Sequence, residues 1–231
     1  MVVTVDVEEV AVHVGGGPDR EELLARRDVA IEPVAAALGR RLKRVLADDQ
    51  NALLDRLRRA AAPVDALGDG DEPAWAQAAA PDLAAAATAG AAFHPGSGDP
   101  VSPGDVAELA DELASAVVRP LLARLRTSLA GVDDGDAAAD RVRAAYREWR
   151  STRLVAEVEH AVLAAFAVGM LRAAPMGSRF AWVVDDGGAP CPDCEDDALE
   201  GAVVAGEPFP TGHRHPPAHA GCRCLLVPAS S

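Results

Sequence analysis

Cys191-Pro192-Asp193-Cys194 opens a run of 34 residues, and Pro216-Pro217-Ala218-His219-Ala220-Gly221-Cys222-Arg223-Cys224 closes it. The run holds all four cysteines of the chain and three of its six histidines. A C-x-x-C knuckle answered by H-x-x-C-x-C supplies two donors from one tight turn and two from another, the set that a tetrahedral zinc ion needs. The reading is one structural Zn2+ in a small module with too little apolar core to hold itself together. Cys191, Cys194, His219, Cys222 and Cys224 are the candidate ligands, one more than four-coordination uses. Cys222 and Cys224 point to opposite sides of an extended segment, so one of them can be a core thiol. Two disulfides, or four unliganded thiols, are the alternatives. His213 and His215, beside Gly212, read as solvated loop residues.

Upstream of this module the pattern is helical. Asp19 is a candidate cap with Glu21 and Glu22 in the first turn, and Pro33 is expected to break or restart that helix. Val34, Leu38, Leu42, Val45, Leu46, Leu53 and Leu57 then recur at three- and four-residue steps, one face of a long amphipathic helix. Ser102 caps and Pro103 starts another. In it Leu109, Leu113, Val117, Leu121, Leu125 and Leu129 share a face, Pro120 introduces a kink, and Gly131 ends the helix. Asp136 or Asp140 opens a third helix, and Val158, Val162, Phe166 and Met170 continue its face to about Ala173. After Pro175 the helical period is lost. Phe180 to Val184, Gly201 to Val204 and Arg223 to Val227 are strand candidates.

The expected fold class is α+β, mainly α: long amphipathic helices followed by a C-terminal zinc-knuckle module with a few short β-strands. The expected divisions are a flexible tail (1–18), a helical segment (19–60), an Ala/Gly/Pro-rich linker (61–104) with one short helix near Pro81 to Ala89, a helical region (105–174) and the Cys/His module (175–231). No internal repeat is present.

The chain has 231 residues and a net charge of -14, which argues against non-specific binding of nucleic acid by the whole surface. Residues 19–59 are the exception, with ten bases against eight acids and a cluster at Arg40-Arg41-Leu42-Lys43-Arg44 able to meet an acidic partner. Residues 1–14 lack the basic start and apolar run of a signal peptide. No window reads as the ~18 apolar residues of a membrane span. The chain is therefore expected in a cytoplasm, where clustered cysteines hold metal more often than they form disulfides.

Pro190-Cys191-Pro192-Asp193-Cys194 also fits half of the zinc-deaminase signature, but that chemistry needs an upstream H-x-E. His13, His94 and His160 are followed by Val-Gly, Pro-Gly and Ala-Val. H-E-x-x-H, a Walker A loop and G-x-S-x-G are absent too. An H-N-H-type nuclease needs a basic surface, whereas the stretch from Gly177 onward carries eight acids against three arginines. Glu157 and Glu159 read as a solvated helix face, and Trp149 and Trp182 as packing anchors. No catalytic set is expected.

Ser151-Thr152-Arg153 and Glu157 on a helix, an aromatic strand at Phe180 to Val184, Cys191-x-x-Cys194, Leu199-Glu200-Gly201, Pro208-Phe209-Pro210 and the closing P-P-x-H-x-x-C-R-C follow one another in order. This order resembles the head-morphogenesis family of tailed phages, the Mu F-protein-like family, over about Asp140 to Pro228. The helix before the strand often carries a Thr-Glu pair in that family; here Arg153 follows Thr152. The resemblance implies a minor head protein that works with portal, major capsid and scaffold proteins in the host cytoplasm and then in the virion head. A cellular zinc-stapled adaptor, and an enzyme or toxin using the cluster only as a staple, are the competing readings.

Overall fold

The computed structural model describes residues 19–93, 101–185 and 191–229; the expected tail, 1–18, lies outside them. Five long helices precede a small sheet. They are α1 (Arg20–Leu57), α2 (Glu72–Phe93), α3 (Ala107–Leu129), α4 (Gly135–Glu148) and α5 (Leu154–Ala173). After them come β1 (Arg179–Val183), the short α6 (Pro192–Leu199), β2 (Ala202–Val204) and β3 (Leu225–Pro228). The sheet is antiparallel with order β2-β1-β3. The mainly helical α+β class and the three strands are as the sequence predicts.

The apolar stripes drive the packing. Leu38, Leu42, Leu46 and Leu53 of α1 are buried, as are Leu113, Val117, Leu121, Leu125 and Leu129 of α3. Pro33 does not break α1, which runs unbroken from Arg20 to Leu57. Proline removes one backbone hydrogen bond, and burial of Leu23, Arg27 and Ile31 before it and Leu38 after it holds both flanks in one helix. Ser102 and Pro103 open not α3 itself but a 3-10 turn, Pro103–Val106, that leads into it; there the Asp105 carboxylate accepts from the Ser102 amide (2.8 Å) and hydroxyl (2.7 Å). α4 begins before either expected opening residue, Asp136 or Asp140, because Asp134 caps it, accepting from the Ala137 amide at 2.7 Å.

The stretch read as a linker is the largest correction. Residues 72–93 form a 22-residue helix, and α2 packs most extensively against α5. Its alanines are what this packing needs. A Cβ added at Gly90 would run into the Phe166 carbonyl of α5, and one at Gly169 would run into the Ala87 carbonyl of α2. Ala86-x-x-x-Gly90 and Ala165-x-x-x-Gly169 thus let two backbones approach closely, and the composition that looks like a linker is a contact surface. Phe93 and Phe166 close its end edge-to-face, ring centroids 5.2 Å apart.

A π turn at Trp149–Arg153 joins α4 to α5, making one helix from Gly135 to Ala173. By length and composition this helix could cross a membrane, contrary to the reading that no window does. Within the protein, 61% of that apolar window is buried, because α1, α2 and α3 all pack against α5. Trp149 is the expected anchor: it is buried and donates from Nε1 to the Val117 carbonyl at 3.1 Å.

Candidate metal centre

The cysteines reach one place by three local devices. Cys191 sits just before α6 and Cys194 lies in its first turn, with Pro192 at the first helical position; spacing of three puts both on one face. The Cys222 amide donates to the His219 carbonyl at 3.0 Å, closing a turn in which Gly221 takes φ +82°. That turn brings His219 and Cys222 to the same side. Cys224 then enters β3, whose Leu225 pairs with Val183 and Leu226 with Trp182, which sets Cys224 at the far end of β1.

Two overlapping triads result: Cys191, Cys194 and His219, and Cys194, Cys222 and Cys224. Within each, the donor atoms lie within 4.8 Å of one another. Cys222 and Cys224 do not diverge to opposite sides: both are buried, and both lie beside Cys194. All five predicted ligands therefore converge, with Cys194 shared.

The spacing fits a tetrahedral ion. Zinc–sulfur bonds near 2.3 Å and zinc–nitrogen bonds near 2.0 Å place two sulfurs about 3.8 Å apart and a sulfur and nitrogen about 3.5 Å apart. Cys194 Sγ is 3.8 Å from Cys222 Sγ and 3.5 Å from His219 Nε2. The other His219 nitrogen, Nδ1, is 3.0 Å from the Ala220 carbonyl, the contact that fixes the tautomer leaving Nε2 as a donor to metal.

The charge pattern points the same way. A hydrogen bond from the Cys224 thiol pulls Cys222 down to about 5, aided by the backbone amides of Cys224 and Ala218 and opposed by burial. Burial and the negative charge of Cys222 push Cys194 up to about 12. Its hydrogen bond to Cys222, then burial, raise Cys224. A bound cation is what would draw off the remaining protons.

Among the described residues Trp182 Nε1 is buried and has no hydrogen-bond partner, yet it lies beside the Cys224 sulfur. An indole N–H can only donate. A thiolate at Cys224, as a bound metal would make it, would be the acceptor it needs. Trp182 is also the expected anchor, packed edge-to-face on Phe209 with centroids 5.1 Å apart.

Several supporting residues carry no periodic signal in the sequence. Asp197, fully buried, accepts from the Thr211 amide (3.1 Å) and hydroxyl (2.8 Å) and ties α6 to the loop after Phe209. His213 and His215 are not simply solvated: His213 Nδ1 lies 2.8 Å from Thr211 Oγ1, and His215 Nδ1 lies 2.9 Å from the Pro216 carbonyl.

A charged cluster fastens the module to the helices. Arg27 of α1, fully buried, bonds Asp185 at 2.7 Å, Asp28 at 2.7 Å and the Arg223 carbonyl. Arg223, between two of the cysteines, pairs with Asp28 at 2.8 Å, with Asp185 at 3.4 Å and with Glu159 of α5. Glu159 is therefore half of an ion pair and not merely a solvated face. Arg20 adds a bond to the Val184 carbonyl. The sequence gives no sign of Arg27, because a buried arginine looks like any other on a helix until its partners arrive.

The class defined here is a mainly helical protein with a small antiparallel sheet carrying a candidate Cys/His metal centre. Comparison of the chain with protein-family models, with curated proteins and with solved structures returns no match.

Proposed function

We propose that the chain is a minor head protein of a tailed phage or prophage, a structural and interaction protein acting beside the portal during head assembly or genome delivery. The closing motif Pro216-Pro217-x-His219-x-x-Cys222-Arg223-Cys224 carries this reading. Its three metal donors converge with the C-x-x-C, and its arginine reaches back to α1 and α5. A motif whose every chemical residue is engaged is a structural unit, as a rigid binding head requires. One Zn2+ is the ion this donor set favours. Portal, major capsid and scaffold proteins are the proposed partners.

The test is co-expression of the tagged chain with the portal, scaffold and capsid proteins encoded beside its gene. Co-sedimentation with portal complexes or procapsids supports the reading. A chain that stays free of every such particle overturns it and favours a cellular adaptor.

A further inference from the structure

Away from the Cys/His cluster, a groove of about 610 Å3 lies between α1 and α5. Ile31, Val158 and Val162 form its apolar floor, Ala36 and Gly39 its α1 wall, and Val155, half exposed, its rim. Glu32 stands toward one end and Arg40 and Lys43 toward the other. None of these three has an ionic partner among the described residues.

Gly39 is the unexplained residue. A glycine inside a helix costs about 1 kcal/mol relative to alanine. Gly90 and Gly169 are required by a neighbouring backbone, but a Cβ at Gly39 would meet nothing within 4 Å. The fold of one chain does not need a glycine here. A surface that another backbone must approach does.

We propose that this face of α1 is a self-association surface that receives α1 of a second copy in antiparallel orientation. The charges commit the occupant. Glu32 lies four residues before Ala36 and Arg40 four residues after it. A twofold axis at Ala36 brings each Glu32 to the partner copy's Arg40, giving two identical ion pairs around a small-residue crossing. That is the self-complementarity of an isologous interface. The overall charge favours the same face. The chain carries -14, yet the groove is lined by three acids, Asp28, Glu32 and Glu159, and three bases, Arg40, Lys43 and Arg223, so two copies meet here with little of the repulsion the rest of the surface imposes. The proposal stands whether or not the protein belongs to a phage head.

The experiment is sedimentation equilibrium of the metal-loaded full chain over a range of concentrations at physiological salt. The native chain is expected to dimerise. Gly39→Leu should weaken dimerisation at least tenfold while leaving the thermal midpoint, measured at a concentration where the native chain is monomeric, unchanged or higher. Arg40→Glu and Glu32→Arg should each be monomeric alone, and an equimolar mixture of the two should dimerise. A native chain that is monomeric throughout overturns the proposal. So does a dimer indifferent to Gly39→Leu and to both charge reversals. Neither result bears on whether the chain joins procapsids.

Discussion

Arg223 Nη2 lies 2.8 Å from Asp28 Oδ1, joining the residue between Cys222 and Cys224 to the first helix, 195 positions earlier in the chain. Beneath this pair sits Arg27, fully buried, holding Asp185 and the Arg223 backbone. The Cys/His cluster is thus tied to the helices by charge as well as by the apolar core that Phe180, Trp182, Leu225 and Leu226 share with them.

Breaking this anchor should be costly in proportion to burial. Arg27→Ala removes a fully buried partner from Asp185, which keeps Arg223 at 3.4 Å, and from the Arg223 carbonyl; it is expected to destabilise by up to about 3–5 kcal/mol, the range for loss of one partner of a buried ion pair. Asp28→Ala, at a half-exposed carboxylate, is expected to cost about 1 kcal/mol or less. Urea denaturation of the metal-loaded protein checks the ranking; equal effects would contradict it.

Metal removal should melt the C-terminal module and spare the helices. Stripping the ion with a chelator is expected to change Trp182 fluorescence and leave most far-ultraviolet helical signal in place. Rebinding Zn2+ should release protons, since Cys194 and Cys224 are raised and must be deprotonated to ligate. Calorimetry in buffers of differing ionisation enthalpy measures that release. Cys194→Ser, at the shared donor, is expected to abolish stoichiometric binding.

Trp182→Phe separates the two states of the centre. In the metal-free protein it removes a buried donor without an acceptor and should be neutral or stabilising. In the loaded protein it removes the hydrogen bond to Cys224 and should weaken metal binding by about 10–100-fold. Competition with a chromophoric chelator, alongside thermal melts of both forms, reads out the two signs.

Gly90→Ala or Gly169→Ala should force α2 and α5 apart, at a cost of about 1–3 kcal/mol each. The double variant is expected to be less damaging than the sum, because one separation relieves both clashes. Thermal denaturation of the single and double variants tests this.

His215 sets a pH dependence. Burial lowers its folded pKa below the ordinary 6.5, outweighing the opposing contact with the Pro216 carbonyl. The unfolded chain therefore binds more protons than the folded one in the window just below pH 6.5. The stability His215 contributes is present above that pH and declines as pH falls through the window. His215→Gln should flatten this part of the curve measured by denaturant titration.

Much of the architecture is legible along the chain. The leucine stripes of α1 and α3, the Ser102 cap, the strand at Phe180 to Val184 and the convergence of the five candidate ligands all follow from period, cap chemistry or donor spacing. What misled was residue size. Ala86, Gly90 and their neighbours have small side chains, and small side chains suit a solvated linker and a close helix contact equally well. Only the position of α5 distinguishes the two.

The order of elements and the chemistry of the cluster were thus determined locally: helical period fixes which faces turn inward, and two tight turns fix which donors can share an ion. The tertiary structure alone decided that α2 is core, that Arg27 is buried, that Trp182 faces a cluster sulfur, and that Arg223 ties the centre to α1 and α5. Each of those depends on pairing residues distant in sequence. The energy of burying a charge or packing a backbone against a backbone is set by a partner that local pattern does not encode.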